Sequence, residues 1–99
     1  MNKWIQLVQM AMRAGKVKLG DNLIPSIQQK KAHLVLYSDI CGKNRKKKIK
    51  DKCTTYTIPY VEVDEKEWQQ ISIRKISALA ICDFGFAKAI LEDMNREER

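Results

Sequence analysis

The sequence has few of the residues that form disulfide bonds, membrane spans or metal sites. Only three of its 99 residues are cysteines, Cys41, Cys53 and Cys82, and none forms a CxxC pair. An odd number without such spacing argues against a disulfide framework and favours a reducing cytoplasm. No run of about 18 apolar residues is present, so we expect no membrane partner. His33 is the only histidine and has no ligand-type residue at metal spacing, so we expect no metal site.

The motifs of common enzyme classes are also missing. There is no GxSxG, P-loop or GxGxxG pattern, and a DFG triplet at Asp83–Gly85 stands without any other kinase element. No nucleophile, base and orienting group occur together, and the cysteines fit small core positions. We therefore expect no catalytic residues, no cofactor and no small-molecule substrate.

Helical and strand patterns alternate along what we expect to be one domain, residues 1–99. Gln6, Gln9 and Arg13 interrupt the first apolar segment, which indicates an amphipathic helix rather than a signal peptide. The periodicity predicts helices from Asn2 (a cap) to Gly15, from Leu23 to Lys30–Lys31, over Lys43–Tyr56, after Asp64, and over Gly85–Met94, with strands at Val17–Leu19, His33–Tyr37, Ile58–Val63 and Ala78–Cys82.

Two of these strands, His33–Tyr37 and Ala78–Cys82, are continuous apolar runs. A strand that is apolar on both faces needs helices on both sides of its sheet. The predicted fold is therefore α/β, a three-layer α/β/α sandwich with a mixed sheet of about four strands.

Positive charge is concentrated in the first half of the chain. The net charge is +7, with a balance of +10 over residues 1–52 and of −3 over residues 53–99. A one-sided positive field attracts a polyanion, so nucleic acid is the expected partner.

The densest cationic segment is the third predicted helix. Seven of the ten residues from Lys43 to Lys52 are basic, and only Asp51 offsets them. Neighbouring like charges on a helix each cost a few tenths of a kcal/mol, so a purely structural helix would include more acids. We assign phosphate binding to the 43–52 helix, with Lys43, Asn44, Arg45, Lys46 and Lys47 as its candidate site residues.

A second candidate segment runs from Lys16 and Lys18 through Gly20, Asp21 and Asn22. A glycine between a strand and a helix allows close approach of a ligand to the backbone, and the following helix start offers free N–H groups. With Asn22 as the N-cap, Pro25 takes the third helical position, where no N–H is needed. The alternative is that Asn22 only caps the helix.

A third candidate is the loop before the last strand, Ile73, Arg74, Lys75 and Ile76. Its isoleucines could contact unstacked bases while its cations reach phosphates. Alternatively, Ile76 belongs to the core.

The order of these segments resembles the seven-Ae/thirty-e ribosomal-protein superfamily of kink-turn RNA binders, especially its bacterial YlxQ-type branch. The resemblance lies in Arg13–Lys16, Gly20, Ala32–Leu36, Asp51–Cys53, Tyr56, Ile58–Tyr60, Asp83 and Gly85–Lys88, and it covers nearly the whole chain. It implies an α/β/α sandwich that binds a sharply bent RNA without catalysis. By position, Gly20–Asn22 would enter the groove at the kink, and Ile73–Ile76 would pack on extruded bases.

The chain departs from the family pattern at three places. Leu23 stands where a guanine-reading glutamate is typical, Pro25 or Ser26 stands where a lysine is typical, and Ser72 replaces a glycine. RNA binding remains the expectation because the cations remain, among them Lys16, Lys18, Lys30 and Lys31. Strict kink-turn specificity does not follow.

Three interpretations therefore stay open. The first is a monomeric, cytoplasmic binder of structured RNA with a kink turn or internal loop, which could be ribosomal. The second is a non-specific nucleic-acid or ribosome-associated binder. The third is a protein-interaction module in which the acidic second half meets a protein.

The first testable prediction concerns salt. If about five cations of the 43–52 segment contact phosphates, the logarithm of the RNA association constant should fall with log salt at a slope of roughly −3 to −5. Titrations at several KCl concentrations measure this slope, and a value near zero would contradict phosphate binding by this segment.

Overall fold

The computed structural model describes residues 3–71 and 76–97, in which a four-stranded sheet carries helices on both faces. Along the chain the elements are α1 (Lys3–Arg13), β1 (Val17–Lys18), a 3₁₀ turn (Gly20–Asn22), α2 (Leu23–Gln28), β2 (Leu34–Ser38), α3 (Lys43–Tyr56), β3 (Tyr60–Val63), α4 (Glu65–Ile71), β4 (Ala78–Ile81) and α5 (Phe84–Glu97). No helix in these ranges is long and apolar enough to cross a membrane.

The sheet is mixed, as predicted. Its strand order is β1-β4-β2-β3. Strands β2 and β3 are parallel, with Leu36 opposite Val61, whereas β4 is antiparallel to both of its neighbours, with Leu36 opposite Leu79 and Lys18 opposite Ala80.

Alternating side chains of the central strands divide the core into two layers. Leu34 and Leu36 of β2 pack with residues of α1, α4 and α5, including Trp4 and Trp68. Val35 and Tyr37 face the other side, where they pack with residues of α2 and α3. The three-layer α/β/α sandwich is therefore confirmed.

Most predicted boundaries agree with the structure. α3 spans the predicted residues. α1 ends at Arg13, just before the predicted stop at Gly15, whose φ of +73° allows the Lys16 N–H to bond the Ala11 carbonyl at 2.9 Å. The Asp64 carboxylate caps α4 by accepting the Lys66 N–H at 2.7 Å. The predicted Asn2 cap lies outside the described residues.

Three ends differ from the predicted ones by two residues or more, whereas the others differ by at most one. Helix α2 stops at Gln28 rather than at Lys30–Lys31, because Lys30 adopts a left-handed φ of +58°. Strand β3 starts at Tyr60 instead of Ile58, although the Pro59 carbonyl accepts the Val35 N–H at 3.0 Å. Helix α5 runs to Glu97, three residues beyond the predicted end.

The DFG triplet, which matches a kinase motif by chance, forms the start of a helix. The Asp83 carboxylate accepts the N–H of Phe86 at 2.9 Å and so caps α5. A Cβ atom at Gly85 would come within 3.2 Å of that carboxylate, so glycine gives the cap its space.

The second prediction follows from this cap. Asp83→Ala should lower the free energy of unfolding by about 1 kcal/mol, because the first turn of α5 loses a hydrogen-bond acceptor. Urea denaturation measures the change. Glu92→Ala, an exposed carboxylate further along α5, is the control and should change stability by less than about 0.5 kcal/mol; equal effects would refute the cap.

Candidate nucleic-acid interface

The sheet has two ends, and they separate the candidate residues. At one end, here called the Ser38 edge, the Ser38 N–H bonds the Ser77 carbonyl at 2.9 Å. At the opposite end, the His33 edge, the His33 N–H bonds the Ile81 carbonyl at 2.8 Å. Because β1 is antiparallel to β4, the Gly20–Asn22 turn that follows β1 lies towards the Ser38 edge, together with the start of α3 after β2.

The Gly20–Asn22 turn is exposed and adopts the backbone conformation that glycine favours. Gly20 has a φ of +55°, and no heavy atom lies within 4 Å of the position where its Cβ would be. The open space means that a ligand can approach this backbone closely.

Asn22 does not act as a conventional cap. It is exposed, has helical backbone angles and makes no side-chain capping hydrogen bond. The cap alternative therefore fails, and the amide side chain is available to a ligand.

The prediction of free N–H groups at the start of α2 is wrong for two of them. The Asn22 N–H bonds the Leu19 carbonyl at 3.0 Å, and the Leu23 N–H bonds the Gly20 carbonyl. The 3₁₀ turn, which was not predicted, thus satisfies two donors that we had expected to face a ligand.

A groove of about 440 Å³ lies between this turn, α2 and α3. One wall is formed by Gly20, Asp21, Pro25 and Gln28, and the other by Arg45, Lys48 and Lys52. The structure therefore joins two candidate segments that are more than twenty residues apart in sequence. Three cations face a groove with one carboxylate, which gives it a positive field.

The basic segment is divided by the rotation of α3 about its axis. Ile49 and Cys53 are fully buried, so Arg45, Lys48 and Lys52 point towards α2. Lys46 points the other way, where its ammonium group bonds the Asp39 carbonyl and lies 3.4 Å from a Glu62 carboxylate oxygen.

The outer surface of α3 carries a shallower depression of about 310 Å³, lined by Asn44, Lys47 and Asp51 together with Lys48 and Lys52. Asn44 and Lys47 thus adjoin the groove cations. Lys43 and Lys50 are exposed, and at 100° per residue they fall on the Lys46 side of the helix. Only part of the segment faces the turn.

Other predicted residues lie away from the groove. The Lys16 carbonyl accepts the Cys82 N–H at 2.7 Å, which places Lys16 at the His33 edge, and Lys30 and Lys31 precede His33 there. Ile73, Arg74 and Lys75 lie outside the described residues. Ile76 is half-buried against the α1–α4–α5 core layer, and its carbonyl accepts the Trp68 indole N–H at 2.7 Å.

The positions where the family pattern is broken are now explained in part. Leu23 is fully buried in the layer under α2 and α3, so its side chain cannot read a base. Ser26 is also buried, with its hydroxyl bonded to the Leu23 carbonyl. Pro25 is exposed and lines the groove.

Lys48 and Lys52 belong to the predicted basic segment, and their spacing of four residues beside the buried Ile49 places both on the groove side of α3. One exposed residue was missing from the prediction. Ile40 is 70% exposed in the loop after β2, beside Ser38. An exposed isoleucine carries no distinguishing sequence signal.

Among the described residues, burial is the largest cause of each resolved pKa shift. Burial raises the pKa of the Cys53 thiol to about 11, which keeps it protonated and unreactive at neutral pH. Burial also raises the pKa of Tyr37, with the Glu62 carboxylate adding to the shift. In the described residues, no three His, Cys, Asp or Glu side chains are grouped to hold a metal ion.

Comparison with known proteins identifies the class. Residues 2–90 match the model of the ribosomal protein L7Ae/L30e/S12e/Gadd45 family. The chain therefore belongs to this family, which confirms the resemblance seen in the sequence.

Two curated relatives narrow the similarity to one branch. The chain is 38% identical over 92 residues to "RNA-binding protein YlxQ" of Enterococcus faecium, covering 91% of this chain and 89% of the relative. It is 36% identical over 92 residues to "RNA-binding protein YlxQ" of Bacillus subtilis (strain 168), with coverage of 90% and 92%.

A solved structure supports the fold. A Bacillus halodurans C protein described as having unknown function superposes with a TM-score of 0.86 at 26% identity. The match covers 96% of this chain and 99% of the other.

The third prediction tests the division of α3. Lys48→Ala should weaken RNA binding and make the log–log salt slope shallower by about 1, because one phosphate contact is lost. Lys46→Ala, two residues away on the other side of the helix, is the matched control and should leave the slope unchanged. Fluorescence anisotropy across a salt series gives both slopes, and equal losses from the two variants would disprove a groove-specific surface.

Proposed function

We propose that this protein is a non-catalytic RNA-binding protein that recognises structured RNA with a kink turn or internal loop. The Gly20–Asn22 turn approaches the bent segment, and the groove side of α3 holds the adjoining phosphates. Family membership and the printed names of two curated relatives support the RNA-binding class.

The observation that carries the proposal is the shared groove of the turn and α3. Arg45, Lys48 and Lys52 form one wall, over seven residues of helix and therefore over a rise of about 10 Å. Cations held at fixed spacing on a helix contact several successive phosphates while the open turn opposite them approaches the bases.

The groove also accounts for the missing charges of α2. Neither Pro25 nor Ser26 supplies the lysine charge that is typical of the family, but cations of α3 line the opposite wall of the same groove. Phosphate binding is thereby retained from another element. Base reading at Leu23 is not retained, because this side chain is buried. Recognition therefore depends on RNA shape and on the exposed Asn22 amide.

We expect the protein to act in the cytoplasm and to bind RNA as a monomer. A ribosomal RNA is the first target to test. The free thiols of Cys41, Cys53 and Cys82 are compatible with a reducing compartment.

A second candidate function is sequence-tolerant binding to nucleic acid or ribosomes. The buried Leu23 favours it, because the typical charged base contact is lost. In this case the cations supply the affinity and shape contributes little.

The fourth prediction separates these two functions. The wild-type protein should bind a kink-turn hairpin at least tenfold more tightly than a straight duplex of equal length. Asn22→Ala should reduce that preference by about five-fold or more, the effect of one lost base contact if readout here resembles that on DNA. Gel shifts with both RNAs measure the ratio.

Gln69→Ala is the matched control, since Gln69 is an exposed side-chain amide on α4, away from the groove. It should keep the wild-type preference. Equal affinity of the wild-type protein for hairpin and duplex would reject shape-specific binding in favour of the sequence-tolerant function, and no affinity for either RNA would reject both.

A further inference from the structure

The His33 edge carries a second group of cations that the groove does not use. Lys16 is placed there by the bond from the Cys82 N–H to its carbonyl. Burial raises the pKa of the Cys82 thiol, whereas a hydrogen bond with Ser26 and the ammonium charges of Lys18 and Lys31 oppose the rise, so both lysines lie near this sulfur. Lys30 adjoins Lys31 and is exposed.

An aromatic side chain stands exposed at the same edge. Phe84, the first residue of α5, is 65% exposed, and its ring lies edge-on to the His33 imidazole at a centroid distance of 5.8 Å and an interplanar angle of 79°. Among the described residues it is the most exposed aromatic ring. A ring this exposed contributes little to the packing of the core.

Phe84 and His33 line a cleft of about 350 Å³ between α5 and the segment before β3. The cleft is largely apolar, with Ile58, Pro59 and Leu91 in its walls and Lys88 at its rim. It is thus an apolar surface bordered by an ammonium group.

The charge at this edge favours a polyanion. Lys16, Lys30 and Lys31 lie at this edge, and Lys88 lines the cleft together with the Glu92 carboxylate. The Asp83 carboxylate is already engaged in capping α5. Exposed aromatic rings bordered by cations are the usual means of binding single-stranded nucleic acid, because every base offers a stacking face.

We propose that the His33 edge is a second RNA-binding surface, which takes a single-stranded segment by stacking a base on Phe84 and holding its phosphates with Lys30, Lys31 and Lys88. This proposal rests on RNA being the partner and goes beyond the groove. At about 3.4 Å per residue, the four residues of β4 give a length of about 14 Å between the two edges of the sheet, short enough for one RNA molecule to contact both.

The test uses the full chain and three labelled RNAs in one buffer: a kink-turn hairpin, the same hairpin with a single-stranded uridine tail, and an oligouridine of about twelve nucleotides. The tail should increase hairpin affinity. Phe84→Ala should weaken oligouridine binding by about five-fold or more and remove the gain from the tail, while leaving the tail-less hairpin unaffected.

Lys30→Ala/Lys31→Ala should give the same pattern, and Phe84→Trp should retain binding because it keeps a stacking face. Met10→Ala, at another exposed apolar side chain, is the matched control and should behave as wild type. Thermal unfolding checks each variant; were Phe84→Ala to unfold, Lys88→Ala and the lysine pair would decide the matter.

The outcomes distinguish the two surfaces. Arg45→Ala/Lys48→Ala should weaken the tail-less hairpin far more than oligouridine, the reverse of Phe84→Ala. Oligouridine binding that is absent, or unchanged in the Phe84 and lysine variants, would overturn the second surface, and with a normal hairpin response it would leave the proposed function intact. Loss of all hairpin binding by the wild-type protein would instead reject the proposed function.

Discussion

The candidate interface depends on the packing of α2 beside α3 over one face of the sheet. Leu23 of α2 and Ile49 of α3 are fully buried there, above the small side chains of Ala78 and Ala80. Burying one such aliphatic side chain is worth about 1.5–3 kcal/mol, whereas an exposed ion pair contributes about 0–1 kcal/mol. The core therefore fixes the rotation of α3, and the charged side chains follow.

This rotation gives one basic helix two different surfaces. On the α2 side, Arg45 and Lys48 line the groove beside the open Gly20 turn. On the β3 side, Lys46 is paired with Glu62, which partly neutralises it. Repulsion among neighbouring lysines amounts to a few tenths of a kcal/mol per pair, which is less than the stabilisation from burying the apolar side chains of α3. A dense run of charge is thus divided between a ligand surface and an internal contact.

The same fold distributes cations to both ends of the sheet. Because β1 is antiparallel to β4 and α2 returns along the sheet, the lysines before β1 and after α2 are carried to the His33 edge, opposite the Gly20–Asn22 turn. Phe84 starts α5 at that edge because its neighbour Asp83 caps the helix. The cap at Asp83 therefore places an exposed ring at the same edge as these lysines.

By itself the sequence determined the kinds of elements, their order and the two-sided core, because the periodicity of apolar residues, the caps at Gly15 and Asp64 and the turn glycine Gly20 are local signals. The order of its short motifs carried the resemblance to the family. The sequence also indicated the basic character of the first half. The tertiary structure alone decided which lysines share a surface, that Asn22 is not a cap and that Leu23 is buried. Those outcomes depend on how α2 and α3 pack against each other and against the sheet. Contacts between segments that are distant in sequence produce no repeating pattern in the sequence of either segment.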